Sequence, residues 1–480
     1  MTQKGRAIKE PDDRQVLPSV ERLAIVDIAE SSNKEYKDRN GKVITMEKDA
    51  GEHYSGFKSY SHMSHGNHIG KIIHDGVTQK GLPEVLGWCY KVVVYYLDYD
   101  YNNRIPLLVD IYIGNGKTSY NNSAKEVNQW SHIVNFSGST RREQLLRISQ
   151  DIGFPISINV KAERDYVVGN NKDFPHVLVE YKRLYTAFAK YVHKIPGERM
   201  RVISTQLGKF DHNSRDRNLY RRIYNSASVY YWVGDKDLKL PLFLELHSTE
   251  SHLYKLNNNH WVPILKPLTF DELLDQENFD RNKVIPFDMS KTSTCRYMRS
   301  AYVTKKPFLD SSESLKVEAF RYKAQKEYQF SRIKDGTKHQ VGFDSAFKST
   351  INVIYTYSFP NGMSPYLIHL PQAGKKWYIY IRENTWGVVS NNLPKDEKDL
   401  ESIYKLLEAF DDGRSDASTE FSDFYEVENV KIENEVEVEI IQKSSSWNKP
   451  TWLTVLEAAI DISWKVLLGL VCYKFIKKRV

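Results

Sequence analysis

The sequence is short of the features that would assign a protein class at once. Its 480 residues include only three cysteines, and their odd number and wide spacing argue against a disulfide framework. The N-terminal residues carry charges throughout and form no apolar run, so no secretory signal peptide is visible. Long hydrophobic runs are confined to residues 451–476. We therefore expect the folded part to be held together by apolar cores rather than by covalent links.

Motifs of common enzymes and of nucleotide-binding proteins are also missing. The sequence has neither the Gly-x-Ser-x-Gly elbow of many hydrolases nor the His-Glu-x-x-His signature of zinc proteases. Residues 113–119, IGNGKTS, resemble a phosphate-binding loop, but Ile111 stands where that motif requires glycine. We interpret the segment as a polar turn between strands. Without these motifs we expect no catalytic residue, no cofactor and no nucleotide. Basic pairs are scattered rather than gathered in one stripe, so we also expect no nucleic acid.

A short histidine-rich segment is the only candidate for a metal site. His62, His65 and His68 recur at a spacing of three, which could place their rings on one face of a helical turn. Gly66 and Gly70 favour a loop instead, and neither cysteine nor aspartate joins the cluster. We interpret it as a histidine-rich surface loop and keep a Zn²⁺ or Ni²⁺ site as the alternative.

One pattern occurs three times along the chain. A tyrosine within an apolar strand is followed ten or eleven residues later by a proline that opens a second apolar strand, and a tryptophan follows further on. In the third copy the spacing is one residue shorter and Thr356 replaces the second tyrosine of the pair. Such a period indicates tandem modules, in which the recurring positions form the core. These repeat-core positions are Tyr95, Pro106 and Trp130, then Tyr230, Pro241 and Trp261, and lastly Tyr355, Pro365 and Trp386.

Aligning the copies predicts a mainly β (α+β) protein made of three modules. After an N-terminal tail at 1–19, they span residues 20–152, 153–281 and 282–411, hereafter modules 1, 2 and 3. Each opens on a short apolar strand, contains two strands joined by a polar turn, and ends in a helix. Thr140 with Glu143, and Thr269 with Glu272, have the spacing of a capping box, which predicts the starts of the first two helices.

The chain beyond the modules changes character. Residues 411–442 contain eleven acidic and two basic side chains, and we predict an acidic linker over 412–449. Residues 450–476 are long enough for a single membrane-spanning helix, and 477–480 form a basic tail. Because Glu457, Asp461 and Lys465 lie on one face of that helix, an in-plane amphipathic helix or a docked helix remains open. The orientation in the membrane is likewise open.

The modules resemble the large repeat-protein families of the piroplasm parasites Theileria and Babesia. The resemblance rests on the opening aliphatic-Asp-Ile strand, the Tyr-Tyr strand, Pro-Leu-Leu or Pro-Leu-Phe, and the closing Leu-Leu helix. It is most specific over residues 228–274, whose latter part is similar to the FAINT domain of secreted Theileria proteins. It covers about 20–411 and implies an exported or membrane-anchored protein without enzymatic activity at the host–parasite interface. This chain departs from the secreted members in lacking a visible signal peptide.

We therefore expect a non-enzymatic, membrane-associated repeat protein with a protein partner, which the resemblance suggests is a host protein. One alternative is an array of carbohydrate-binding modules, in which the second tyrosine of a pair, Tyr96 or Tyr231, would line a groove. A less favoured alternative is a metal-dependent enzyme built on the three histidines.

Overall fold

The computed structural model confirms the predicted mainly β class. It describes residues 23–426 apart from 32–33, 49–53, 67, 84–85, 87, 124–127, 134–139, 171, 173, 208–209, 215–217, 266–267, 292, 298–300, 310–316, 361, 363 and 416–424. Strands β1–β31 account for most of the regular structure, beside four α-helices. The predicted membrane segment 450–476 and most of the acidic linker lie outside the described residues. No helix within the described ranges is long and apolar enough to cross a membrane.

The strands and helices follow one another in three similar series. Module 1 contains β1 (Leu23–Asp27), β2 (Glu35–Lys37), β3 (Val43–Lys48), β4 (Phe57–Ser64), β5 (His68–His74), β6 (Val77–Thr78), β7 (Cys89–Leu97), β8 (Leu108–Ile113), β9 (Gly116–Asn122), β10 (Trp130–His132) and α1 (Arg141–Asp151). Module 2 contains β11 (Phe154–Asn159), β12 (Tyr166–Val167), β13 (His176–Leu184), β14 (Phe188–Lys194), β15 (Met200–Leu207), β16 (Phe210–Ser214), α2 (Asn218–Arg221), β17 (Ser226–Trp232), β18 (Phe243–His247), β19 (Ser251–Asn257), β20 (His260–Pro263) and α3 (Phe270–Asn282). Module 3 contains β21 (Val284–Asp288), β22 (Cys295–Tyr297), β23 (Ala301–Pro307), β24 (Glu318–Ala324), β25 (Gln329–Asp335), β26 (Lys338–His339), β27 (Val353–Ser358), β28 (Leu367–Leu370), β29 (Lys376–Arg382), β30 (Thr385–Val389) and α4 (Leu400–Ser415), and β31 (Tyr425–Glu426) follows it.

Each series of ten strands is connected in the same order. The first, fifth and sixth strands form a small ribbon, and the other seven form a sheet with the order β10-β9-β8-β7-β4-β3-β2 in module 1. Modules 2 and 3 repeat this order with β20 to β12 and with β30 to β22. In module 2 a parallel contact between β16 and β20 joins ribbon and sheet, and in module 3 β31 extends the sheet beyond β30.

The ribbon of every module is a parallel pair with a register shift in the middle. The shifts fall between Ala24 and Ile25, between Ile156 and Ser157, and between Ile285 and Pro286. The first strands are buried along most of their length, which explains their nearly continuous apolar sequence.

The closing helices α1 and α3 lie between modules and contact both neighbours. On one face of α3, Leu273 and Leu274 pack under Tyr230 and Phe243 of module 2. Farther along the same helix, Phe279 stacks on Tyr328 of module 3 with ring centroids 5.4 Å apart. Ribbon, sheet and helix thus follow one another in each module, and α1 and α3 each cover their own sheet while contacting the ribbon of the next module.

The three tryptophans of the repeat occupy equivalent, buried places. Trp130, Trp261 and Trp386 each lie on the tenth strand of their module and are at most 3 % exposed. Each indole N–H donates to a side-chain oxygen of the ribbon region: to Gln79 at 2.9 Å, to Thr205 at 2.6 Å and to Gln340 at 2.8 Å.

A glycine two residues after the glutamine completes this contact in modules 1 and 3. A Cβ on Gly342 would lie 1.8 Å from the carbonyl oxygen of Trp386, and one on Gly81 would lie 2.1 Å from that of Trp130. The Gln-x-Gly sequence therefore marks the place where the buried tryptophan packs, and it is a recurring motif that the sequence analysis did not identify.

The strand register corrects one repeat-core position. In each module the repeat proline lies two residues before the strand residue that pairs with a buried tyrosine, here called the key tyrosine. The prolines are Pro106, Pro241 and Pro365. Leu108 pairs with Tyr95 and Phe243 with Tyr230, but Leu367 pairs with Tyr357. Tyr355 is therefore the wrong third member and Tyr357 is the right one. The interval to Pro365 is then shorter by three residues than in the other modules.

Candidate functional site

The structure separates the three histidines that were considered as a metal site. His62 is completely buried in the seven-stranded sheet on β4, whereas His68 begins β5 in the ribbon, with its ring 4.6 Å from that of Trp88. His65 lies at the bend between these two strands. In the part of the chain that the structure describes, no group of three or more His, Cys, Asp or Glu side chains could hold a metal ion.

His62 instead belongs to a buried tyrosine–histidine pair that recurs in module 2. The Tyr36 hydroxyl lies 3.2 Å from Nδ1 of His62, and the Tyr166 hydroxyl lies 3.4 Å from Nδ1 of His193. Burial lowers the pKa of both imidazoles to about 4. Their Nε2 atoms have no hydrogen-bond partner among the described residues. The pair is a neutral element of the core, and the sequence comparison missed His193.

A second recurring position holds a buried polar side chain between sheet and helix. It is Asp110 in module 1, Glu245 in module 2 and His369 in module 3. Asp110 accepts from Arg141 of α1 at 3.1 Å, and Glu245 pairs with Lys190 at 3.1 Å and with the Tyr230 hydroxyl.

The charges at this position are balanced differently in each module. Burial acts to raise the pKa of Glu245, but Lys190 and the Tyr230 hydroxyl outweigh it, so the pKa lies below its usual value. His369 stacks on Trp377 at 4.1 Å, and burial lowers its pKa to about 4. These groups are engaged in the packing of each module.

Residues 113–119, whose sequence resembles a phosphate-binding loop, form a hairpin turn and the start of the following strand. Ile113 ends β8, Gly114 has a positive φ of 54° and Gly116 begins β9. This is the polar turn that the sequence predicted, and no helix follows it, as a phosphate-binding loop would require.

The same end of module 1 exposes an aromatic patch, which we define as Trp88, Tyr90, Tyr112 and Ile113. Trp88, Tyr90 and Ile113 are 39–45 % exposed, and the Tyr90 and Tyr112 rings lie 6.4 Å apart. At the equivalent places of module 2, the register puts His247 for Tyr112 and Ser248 for Ile113. Tyr112 and Ile113 are therefore not required by the fold that modules 1 and 2 share.

The contact between modules 1 and 2, here called the first seam, contains two polar clefts. The loop between β7 and β8 separates them. The larger, about 420 Å³, is lined by side chains that bind backbone groups of the cleft wall. His74 Nε2 lies 2.7 Å from the Asn103 backbone carbonyl oxygen, and the Asn103 side chain donates to the Glu30 backbone carbonyl oxygen at 3.2 Å. Asp27, also in its lining, accepts three backbone N–H groups.

The smaller cleft, hereafter the seam cleft, has a volume of about 320 Å³ and different walls. The loop contributes Asp98, Tyr99 and Tyr101, and module 2 contributes Asn159 and Gln206 among others. The Tyr99 hydroxyl donates to the Pro155 carbonyl oxygen at 2.6 Å, which fixes the loop against β11. Tyr101 stands at the rim with 61 % of its surface exposed.

The second tyrosines of the repeated pairs do not line any groove. Tyr96 and Tyr231 are completely buried, and their hydroxyls donate to the carbonyl oxygens of Ile28 and Val160 at 2.6 and 3.0 Å. They attach the sheet to the ribbon, so the expected groove-lining role is wrong for both residues.

Comparison of the chain with protein-family models, with curated proteins and with solved structures finds no match in any of the three.

Proposed function

We propose that this is a non-enzymatic, membrane-associated interaction protein whose three modules form a scaffold for a protein partner. The observation that carries the proposal is the contrast between recurring and non-recurring positions. The recurring tyrosines and tryptophans are core, whereas the aromatic patch of module 1 includes three exposed residues, and two of its four members have polar residues in their places in module 2. Exposed aromatic side chains are enriched at protein interfaces, where they contribute most of the binding energy.

The turns between the two central strands support a presenting role. The carboxylates of Asp100 and Asp235 hold these turns, because each accepts hydrogen bonds from the backbone N–H groups four and five residues later. The two turns therefore have the same backbone hydrogen bonding. The other side chains differ between DYDYNN and GDKDLK. A constant backbone with changing loop residues is the arrangement of binding loops on a rigid scaffold.

Attachment to the membrane is assigned to residues 450–476, and the resemblance to piroplasm proteins suggests a host protein as partner. The metal-dependent enzyme is not favoured, because His62 and His68 lie in different sheets. An array of carbohydrate-binding modules built on Tyr96 and Tyr231 is not favoured either, because both tyrosines are buried and cannot line a groove.

One experiment on the full-length chain tests both parts. Membranes containing the protein are extracted with alkaline carbonate, and the pelleted protein is solubilised and used to bind proteins from host cells. We expect the full chain in the pellet and the chain lacking 450–480 in the supernatant. We expect Tyr112→His with Ile113→Ser to weaken partner binding by at least tenfold, and Tyr181→Ala, an exposed aromatic of module 2, to leave it unchanged.

The proposal has two ways to fail in this experiment. If the full chain leaves the pellet, residues 450–476 do not span the membrane. If no saturable partner is found, or if the patch variant binds as tightly as Tyr181→Ala, the aromatic patch is not the interface.

A further inference from the structure

We propose that the seam cleft binds a neutral saccharide through the side chains of Asp98, Asn159 and Gln206 and the ring of Tyr101. This inference goes beyond the proposed protein partner, because it concerns a second place and a small ligand. The first seam differs in several residues from the contact between modules 2 and 3, here called the second seam.

The strand register gives the equivalent of each cleft residue at the second seam. Asp98 corresponds to Val233, since both follow the key tyrosine by three residues and donate their N–H across the sheet, to Gly56 and Ala187. Gln206 corresponds to Lys334, because they pair with Asn159 and Asp288 at the ends of the first ribbon strands. Tyr101 corresponds to Lys236 in the turn held by Asp235.

The second seam has apolar residues at two places where the first has polar ones. Val233 packs into the apolar core of module 3, and Pro286 stands in place of Ser157. Asp98, which is exposed, occupies the place of that valine in the first seam, and partial desolvation raises the pKa of its carboxyl. The first seam thus presents polar side chains to the cleft where the second seam packs apolar ones.

The two side-chain amides of the seam cleft are available for bonding. The Gln206 amide and Nδ2 of Asn159 make no hydrogen bond to any other described residue, although Asn159 Oδ1 accepts from the Lys161 N–H. A side-chain amide offers donors and an acceptor side by side, and a carboxylate offers two acceptors. This set matches neighbouring hydroxyl groups, each of which donates one hydrogen bond and accepts others.

The aromatic walls suit the other face of a sugar ring. Tyr99 is held in place by its hydroxyl and by Gly169, whose backbone lies so close that a Cβ there would be 2.4 Å from the tyrosine ring. The exposed ring of Tyr101 can cover a ligand from the rim, since an aromatic face packs on C–H groups while its hydroxyl remains in water.

Charge and volume exclude other ligand classes. The cleft lining contains no lysine or arginine among the described residues, so an anion such as phosphate would meet only Asp98. A single carboxylate without further acidic neighbours is a weak site for a metal ion or a polyamine. About 320 Å³ is at the small end of ligand sites, which suits one or two sugar residues.

The test exchanges equivalent residues between the two seams in the full-length protein. Methyl glycosides of the common hexoses and a set of oligosaccharides are screened by saturation-transfer NMR, and affinities are measured by titration. We expect Gln206→Lys and Tyr101→Lys each to weaken binding about tenfold, the equivalent of about 1.4 kcal/mol. The reciprocal changes Lys334→Gln and Lys236→Tyr should leave it unchanged. Far-UV circular dichroism and the melting temperature establish that every variant is folded.

Each outcome decides the proposal. Binding of simple glycosides supports a free sugar, and binding of oligosaccharides alone supports a glycan chain. The assignment is overturned if no saccharide binds, if the two pairs of variants behave alike, or if inorganic phosphate or spermidine competes for the same signal. Partner binding through the aromatic patch is measured separately, so failure of one proposal leaves the other intact.

Discussion

At the scale of single residues, the most consequential feature is the set of titratable side chains that the fold buries in neutral form. His62 and His193 are completely buried with pKa values of about 4, and His369 is 3 % exposed with a similar value. An unfolded histidine has a pKa of about 6.5. The unfolded chain therefore binds more protons than the folded chain between these values, and the stability of the folded state falls as the pH falls from about 6.5 towards 4.

The buried histidines predict a loss of stability in mild acid. Protonation of His62 and His193 in the unfolded chain should lower the unfolding free energy at pH 5, relative to pH 7.5, by about 2 kcal/mol for each histidine. We expect His62→Asn with His193→Asn to flatten this dependence, since an asparagine amide can replace Nδ1 as the partner of Tyr36 and Tyr166 but does not titrate. Urea unfolding at the two pH values measures it. The exposed His176→Asn is the control, and an unchanged slope in the double variant would contradict the assignment.

The residue pattern located the prolines and tryptophans of the repeat but misplaced one tyrosine. Side chains alternate between the faces of a strand, so a shift of one residue would have moved Tyr355 to the other face. A shift of two residues keeps the same face, and Tyr355 and Tyr357 differ by two. Both are buried against α4, so their apolar surroundings alone could not distinguish them. The hydrogen bond from the Tyr366 N–H to the Tyr357 carbonyl oxygen makes the distinction.

At the scale of elements, features encoded locally were predictable and those encoded at a distance were not. Both capping boxes form as expected, with Thr140 and Thr269 accepting from the N–H groups of Glu143 and Glu272. The ribbons were missed, because β1 pairs with β5 more than forty residues later and a parallel pair leaves no turn signal between its strands. The seam cleft was missed for the same reason, since its walls come from two modules.

The two capping boxes predict a measurable contribution to stability. Thr140→Ala and Thr269→Ala should each lower the unfolding free energy by about 1 kcal/mol, because each leaves a helix N–H without its side-chain acceptor. Serine at either place keeps the hydroxyl and should retain most of that stability. Denaturant midpoints compare the variants. Equal losses for alanine and serine would show that the methyl group, rather than the cap, is responsible.

At the scale of the whole molecule, the modules are joined by ion pairs as well as by apolar packing. Arg332 of β25 is completely buried and donates to Asp275 of α3 at 3.0 and 2.6 Å and to Asp271 at 2.5 Å. Its guanidinium also lies 5.6 Å from the ring centroid of Tyr185. One side chain of module 3 thus holds both the helix and a hairpin of module 2.

This arrangement predicts that damage at the second seam spreads to both modules. Arg332→Met should cost about 3–5 kcal/mol, because it leaves the buried Asp275 with only the more distant Lys334, at 3.8 Å, as a cation. Hydrogen exchange should then accelerate in α3 of module 2 as well as in β21 of module 3. Adding Asp275→Asn should restore part of the loss, which a double-mutant cycle measures. Exchange that accelerates in module 3 alone would mean that the helix is held by its own sheet.

The sharing of helices between modules also matters while the protein is being made. Phe279 leaves the ribosome about fifty residues before Tyr328, on which it stacks, and at ordinary rates of synthesis this interval lasts roughly 3–10 s. During that time the outer face of α3 is exposed to water and to chaperones. We expect protease to cleave within α3 in ribosome-arrested chains from which α3, but not module 3, has left the exit tunnel. Chains arrested after module 3 has also left the tunnel should resist. The N-terminal modules would then reach their final stability only after the C-terminal one has folded.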